Sequence, residues 1–461
     1  MSSATELTPA RQAAYEVVRR TFDDGAWTDR AFTATAARAG LEGRELALAR
    51  RLAYGAVQRR GTSDHLIAEL ARRRRVDAAA LAALRLGLYE LMFSDHPADH
   101  AAVDQAVELA KAGALGDGAP RGRARAASGF VNAVLRRAAD EREQLLARLD
   151  DSTPEGAAIA HSYPEWLARM WWEELGGPEA VLLMAAMNEP REAAFRVNTL
   201  RAMPAGLAGE LRATGLEVSG PGSGRLLDPA AGIVVGAAGD AVGARVATGE
   251  LIPQSRGSQA VVALLDPCPG ERVLDICAGP GIKTTAIAAR MENRGELVSF
   301  EVDARRAEDV AALCARAGVG CARVEVADAA EADLGSGYDR ILLDPPCTDL
   351  GTLASRPDAR WRKSPETRER IAALQRRLLV RAARALRPGG TLVYSTCTIS
   401  VRENEAVAET APAYAEVEID DLGARHRSLA SRLDRRFLQL LPHRDGTTGF
   451  FVARFRRPER G

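Results

Sequence analysis

The stretch Arg272-Val273-Leu274-Asp275-Ile276-Cys277 runs directly into Ala278-Gly279-Pro280-Gly281-Ile282-Lys283-Thr284-Thr285. The first part reads as a short apolar strand and the second as a glycine-rich turn that opens a helix. Glycines at such a turn let the backbone approach a ligand closely. The turn is not a phosphate-binding P-loop: the G-x-x-x-x-G-K-[ST] spacing is missing, and Pro280 removes a backbone donor that a phosphate could use. Ile282 is β-branched, which predicts an ordinary helical conformation there. Further apolar strands are expected at 296–303, 322–328, 338–343 and 391–395, with helical stretches between them. That alternation predicts a parallel, doubly wound α/β sheet. The end of the chain predicts an antiparallel hairpin on the sheet edge, with strands at 437–441 and 449–455 around a turn at Asp445-Gly446.

Towards the amino terminus the pattern changes. Residues 8 to about 140 carry apolar residues at helical spacing, and Thr8-Pro9 is a good helix start. Two basic runs stand out: Arg72 to Arg75, and Arg121, Arg123 and Arg125 after the glycines that follow Gly113. They read either as a solvated helix face and a flexible loop or as phosphate contacts. Tyr163-Pro164-Glu165-Trp166 opens a helix whose Trp171 and Trp172 are expected in a core. A strand at 195–198 and frequent glycine and proline (Gly220, Pro221, Gly222, Gly224) then suggest a small domain of short strands and turns. The expected organisation is multidomain: an all-α segment at 1–142, a linker helix with a small α+β domain at 150–245, and an α/β Rossmann-like domain at 246–458.

The 461 residues include 62 Lys+Arg and 62 Asp+Glu, so a uniformly basic nucleic-acid coat and a polyacidic tail are both excluded. Of the basic residues only Lys111, Lys283 and Lys363 are lysine, which makes a lysine inside a motif notable. The six cysteines form no C-x-x-C pair and no zinc-ligand spacing, so no metal is expected. They are too sparse for a disulfide scaffold and suit a reducing, cytoplasmic compartment. Neither a signal-peptide layout nor a transmembrane stretch is evident, so no membrane partner is expected.

Acidic residues end successive strands. Glu301 lies about twenty residues after the glycines, where a carboxylate usually binds ribose hydroxyls, with Asp303 as its rival. Asp328 ends the third strand, where an acid can meet an adenine amino group. The alternative for each is helix N-capping. Asp344-Pro345-Pro346-Cys347 ends the fourth strand and Ser395-Thr396-Cys397-Thr398 the fifth. In such folds ligands sit at the carboxyl ends of the strands, so an aspartate and two cysteines converge on one crevice. Cys268, Cys314 and Cys321 are expected to be buried free thiols.

Two thiols and a carboxylate beside an adenosyl ligand suit one chemistry. Carbon 5 of cytosine is a poor nucleophile until a thiolate adds to carbon 6 and makes it an enamine, which can take a methyl group. A carboxyl group bonded to ring nitrogen 3 stabilises the adduct, and a second thiol can assist release. The attacking cysteine should have a lowered pKa. The base must be reached outside a stack.

Asp275-x-Cys277-Ala278-x-Pro280-Gly281-x-Lys283-Thr284, Asp344-x-Pro346-Cys347 and Thr396-Cys397 together resemble the signature set of the Sun-type RNA (cytosine-5) methyltransferases. Arg356-Pro357-Asp358, Trp361, Gln254-x-x-x-x-Gln259 and Asn198-Thr199-Leu200-Arg201 are similar to that family's lesser motifs. Ala101 to Lys111 and Phe130 to Arg136 resemble NusB, the transcription antitermination factor. A NusB-like start joined to this catalytic domain resembles the RsmB-type (Sun/Fmu) 16S rRNA methyltransferases over nearly the whole chain.

The resemblance implies S-adenosyl-L-methionine as methyl donor. It implies 16S rRNA in an unassembled or partly assembled small subunit as partner, and a monomer. It implies Cys397 as the nucleophile, Cys347 as the residue that assists product release, and Asp344 as the residue that binds the ring. Cys277, Ala278, Gly279, Pro280, Gly281, Ile282, Lys283, Glu301, Asp328 and Asp344 would line the cofactor site. Two positions depart from the family. Pro345 stands where Ala is usual; the resulting Asp-Pro-Pro resembles enzymes that methylate exocyclic amino groups, though those follow it with an aromatic residue. Ile282 replaces a loop glycine. Spacing alone leaves the roles of Cys347 and Cys397 exchangeable, since in DNA cytosine-5 enzymes the Pro-Cys thiol attacks. The same chemistry on tRNA or DNA, and a non-catalytic RNA-binding or assembly factor, are the rival functions.

Overall fold

The computed structural model describes residues 6–72, 75–94, 99–190, 192–220, 222, 225–227, 230–236 and 239–459. Arg73 and Arg74 of the first basic run, and Pro221 and Gly224 of the turn-rich stretch, lie outside them. The chain divides into two compact units, Met1–Glu189 with Leu353–Arg362, and Pro190–Thr352 with Lys363–Gly461.

The first unit is helical, from Pro9–Phe22 to Gly177–Ala186. Pro9 opens its first helix as expected. Ala78–Phe93 is its central helix: Leu84, Leu86, Leu88 and Leu91 are all buried, each side chain contributing roughly 1.5–3 kcal/mol. Trp171 is fully buried edge-on to Tyr163, which settles that tryptophan as core. The expected loop after Gly113 shrinks to a short turn at 117–120 between two helices. Arg121, Arg123 and Arg125 are exposed in the first turns of the helix Arg121–Asp140, which has no acid in its first turn. The local glycines made this stretch read as a loop, but buried Ala124, Ala127 and Val131 supply an apolar face that holds the helix. The segment Leu353–Arg362, which contains one of the lesser motifs, belongs to this unit. There the Trp361 indole N–H donates to the Val57 carbonyl at 2.9 Å, and Asp358 accepts from the Thr28 N–H at 3.3 Å.

The second unit begins with a small antiparallel sheet. Its order is Val218–Ser219, Gly232–Val235, Ala193–Val197, Leu251–Pro253. Its core joins Phe195, Val197, Ile233 and Leu251 to Leu207 and Leu211 of the helix Pro204–Ala213. The last strand of this sheet lies past the expected boundary at 245.

The main sheet runs Ala322–Val326, Glu296–Glu301, Arg272–Ile276, Tyr338–Leu343, Leu386–Thr396, Phe450–Arg456. The first five strands are parallel and the sixth antiparallel. Chain order reverses between Arg272–Ile276 and Tyr338–Leu343, and at such a switch point the loops diverge and leave a crevice. The central strands are buried along most of their length, Val273 to Ile276 and Ile341 to Leu343, as in a sheet covered on both faces. The closing hairpin forms as expected, but its second strand is not the edge. Phe450–Arg456 pairs with Glu418–Asp420 at one end and with Leu438–Leu440 at the other. Glu418–Asp420 is too short and polar to read as a strand alone. Among the described residues no helix is long and apolar enough to cross a membrane.

Candidate active site

Strand register places the reactive residues side by side. Ile276 pairs with Leu343, and Leu343 with Tyr394, so Cys277 and Asp344, just past the ends of two strands, lie level with Ser395 near the end of the third. The Ser395 hydroxyl donates to Asp344 Oδ1 at 3.0 Å.

The glycine turn is held by side chains from the next strand and helix. Cys277 takes a left-handed conformation, φ +64°, and Ile282 is the first residue of the helix Ile282–Arg290, in ordinary helical backbone as expected. The Gly279 N–H donates to Glu301 Oε2 at 2.9 Å, and Arg306 donates to the Gly279 carbonyl at 2.8 Å. A Cβ on Gly279 would lie 2.5 Å from Glu301 Oε2, so a larger residue there must displace the Glu301 side chain. The rival acid separates cleanly from Glu301. Asp303 caps the helix Ala304–Ala317 through the Arg306 N–H, whereas Glu301 is buried against the loop. Asp328 accepts from the Ala330 N–H at 2.8 Å, a local turn bond.

Beneath the turn, Asp275 is buried with Thr284 as its donor at 2.6 Å, and burial pushes its carboxyl up to about 6. Burial likewise raises the Cys277 thiol. Lys283 reaches across to Asp344 Oδ2 at 2.6 Å and lies 5.2 Å from the centre of the Phe450 ring. Burial would lower the Lys283 pKa, but attraction to Asp344 outweighs it and the group stays charged.

The two thiols meet. Cys347 Sγ and Cys397 Sγ are 3.4 Å apart, and Asp349 Oδ1 lies 3.2 Å from Cys397 Sγ and 3.7 Å from Cys347 Sγ. The loop that carries Cys347 is pinned from below. Buried Glu403 accepts from the Thr348 N–H at 2.9 Å and from its hydroxyl, and the Gly351 N–H donates to the Cys397 carbonyl at 2.9 Å. A Cβ on Gly351 would lie 2.4 Å from the Gly449 carbonyl oxygen, so glycine permits this crossing.

The electrostatics correct one expectation. The hydrogen bond with Cys347 lowers the Cys397 pKa, but burial and the charges of Asp349 and Asp344 outweigh it, and the thiol ends above its ordinary value. Cys347 is raised as well, by the same hydrogen bond and by burial. A lowered pKa was expected because a nucleophile must ionise; the acids beside Cys397 oppose that. The outlying cysteines also divide. Cys314 is buried as expected, Cys321 is half-buried and Cys268 is exposed. Sequence reasoning missed Asp349, Arg306 and Glu403. Each acts through contacts distant in sequence or through backbone geometry, and no local motif marks it.

Comparisons with known proteins bear on the family and the fold. A family model described as 16S rRNA methyltransferase RsmB/F matches residues 262–456, and the NusB family model matches residues 8–140. The Bacillus subtilis "Probable ribosomal RNA small subunit methyltransferase B" is 32% identical over 88% of this chain and 89% of its own. The Escherichia coli "Ribosomal RNA small subunit methyltransferase F" is 41% identical over 45% of this chain and 44% of its own. The crystal structure of PH0851 superposes with TM-score 0.79 at 26% identity, covering 98% of this chain and all of that one.

Proposed function

The chain belongs to the RsmB/F family of rRNA methyltransferases, and from that premise we propose that it methylates carbon 5 of a cytosine in 16S rRNA through a covalent cysteine–cytosine adduct. It is an RNA methyltransferase whose methyl donor is S-adenosyl-L-methionine, which supplies an electrophilic methyl group. The donor site is the glycine cradle: residues Cys277 to Lys283 line it, Glu301 takes the ribose hydroxyls and Asp328 the adenine amino group. A glycine turn closed against Glu301 at Gly279, with carboxylates ending its strands, fits an adenosyl group without phosphates.

Cys397 attacks carbon 6 as thiolate. Asp344, steadied by Lys283 and Ser395, bonds the ring at nitrogen 3 and stabilises the adduct. After methyl transfer Cys347 assists removal of the carbon-5 proton, and the carbon–sulfur bond to Cys397 breaks. The observation that carries this reading is the 3.4 Å separation of two thiols with unequal environments. Cys397 is half-buried and Cys347 is buried, which leaves Cys397 the more accessible of the two. The three exposed arginines at the start of Arg121–Asp140 support an anionic partner, because a helix amino terminus disfavours positive charge unless an anion is near. The RNA enters as an unassembled or partly assembled small subunit.

Cys397→Ala should abolish methyl transfer, and Cys347→Ala should accumulate a protein–RNA adduct that survives denaturing gels. If Cys397→Ala traps the adduct instead, the two roles are exchanged. Bisulfite sequencing of rRNA from cells lacking the protein should show one lost 5-methylcytosine; an unchanged 16S pattern rejects the substrate.

A further inference from the structure

Asp349 has no part in the chemistry described so far, yet it touches both sulfurs. Its backbone is left-handed, φ +59°, a conformation that glycine adopts freely and other residues adopt at some cost. From there its Oδ1 lies 3.2 Å from Cys397 Sγ and 3.7 Å from Cys347 Sγ. A carboxylate that accepts a hydrogen bond from a thiol stabilises the protonated sulfur and repels the thiolate.

Other charged groups also face the pair. Asp344, at the end of Tyr338–Leu343, is the second acid acting on Cys397, but Lys283 holds it at 2.6 Å. Lys283, on the helix after the glycine turn, favours the Cys397 thiolate. Glu403, beyond the strand Leu386–Thr396, acts on Cys347. Lys363 faces Asp349 at 3.7 Å, a longer and weaker pairing than that of Lys283 with Asp344. Asp349 is the acid whose carboxylate oxygen lies against both sulfurs.

We propose that Asp349 is a positioning residue that holds both thiols protonated and so sets the pH above which Cys397 can act as a nucleophile. The two sulfurs stay unreactive in the enzyme without RNA. The consequence for methylation rests on Cys397 being the attacking thiol, as proposed above; the effect on the thiols themselves does not.

The test uses the full chain without RNA. Methyl methanethiosulfonate, a small neutral thiolate-selective reagent, is applied across pH 6 to 10, and modification of each cysteine is read by peptide mass spectrometry. Asp349→Asn should lower the Cys397 midpoint by about one pH unit, making the reaction about tenfold faster below both midpoints. Asp349→Gly fits the backbone and lacks the charge, so it should match Asp349→Asn, and Asp349→Glu should return the midpoint towards the parent. Exposed Cys268 is the internal reference and should not change. Should Asp349→Asn unfold, buried Cys314 would react at once, and Asp349→Gly then gives the reading. A midpoint that stays or rises overturns the proposal; a rise would make Asp349 the acceptor of the thiol proton. If Cys397→Ala retains methyl transfer, the functional reading fails while the midpoints still report on Asp349.

Discussion

Replacing Gly279 by alanine probes the cofactor cradle with one methyl group. That carbon would stand 2.5 Å from Glu301 Oε2 and 3.0 Å from Arg306 Nε, against an ordinary contact of about 3.5 Å. The glutamate must swing away, because its other oxygen is tied to the Asp303 N–H and the side chain has no room to slide. Swinging away breaks the bond that the Gly279 N–H donates to Oε2. A hydrogen bond to a charged group contributes about 1.5–3 kcal/mol, and here its loss displaces the acid assigned to the ribose. The affinity for S-adenosylhomocysteine should fall about 10- to 150-fold. Calorimetric titration of purified Gly279→Ala measures this directly, with thermal unfolding as the check that the fold survives. Gly122→Ala, at an exposed helical glycine with nothing near its would-be Cβ, should bind like the parent. An affinity for Gly279→Ala within twofold of the parent would refute the reasoning, since the methyl cannot be accommodated without moving Glu301.

Other consequences follow from burial and geometry. Asp275 is pushed up to about 6 from 3.8, so the folded state holds its proton more tightly than the unfolded chain. Its contribution is therefore fully present below pH 3.8 and is lost as pH rises through about 6, a change of about 3 kcal/mol. Asp275→Asn should flatten that part of the stability profile in urea titrations at pH 4.5 to 8, and a profile parallel to the parent's would contradict the assignment. At alkaline pH, above the point where the thiols ionise, peroxide should join Cys347 to Cys397, whose sulfurs need only close from 3.4 Å to about 2.05 Å. Mass spectrometry should find the linked peptides two hydrogens lighter, with activity restored by a dithiol; pairing with any other cysteine counts against the geometry. Trp171→Ala removes a fully buried indole and should destabilise the helical unit by about 3–5 kcal/mol, seen as an earlier loss of helical circular dichroism on heating. A melting curve unchanged from the parent would place Trp171 outside the core.

The doubly wound sheet was legible because its strands and helices announce themselves in different periods. A strand buried on both faces is a short apolar run, and the glycine turn at 278–281 marks where the first one ends. The positions of Asp344, Cys347 and Cys397 followed from the same logic, since each ends a strand. Two local signals misled. Glycines near 113–122 suggested a loop through the arginines, although the turn is confined to 117–120 and an apolar face holds the arginines in the helix that follows. The strand Glu418–Asp420 is three residues long and takes its identity entirely from its partner.

By itself the sequence determined the order of elements, the crevice at the switch point and the set of reactive side chains, because these depend on local periodicity and on chain order. Only the tertiary structure decided how those side chains act on one another. Asp303 and Glu301 are two residues apart and look interchangeable, yet one caps a helix and the other holds the glycine turn. Cys347 and Cys397 are fifty residues apart, and their 3.4 Å separation comes from strand register and from the Gly351 N–H bond to the Cys397 carbonyl. The protonation of these thiols was misjudged for the same reason. A pKa depends on burial and on charges within a few ångströms, and the nearest charge, Asp349, arrives through a left-handed turn that no spacing rule marks.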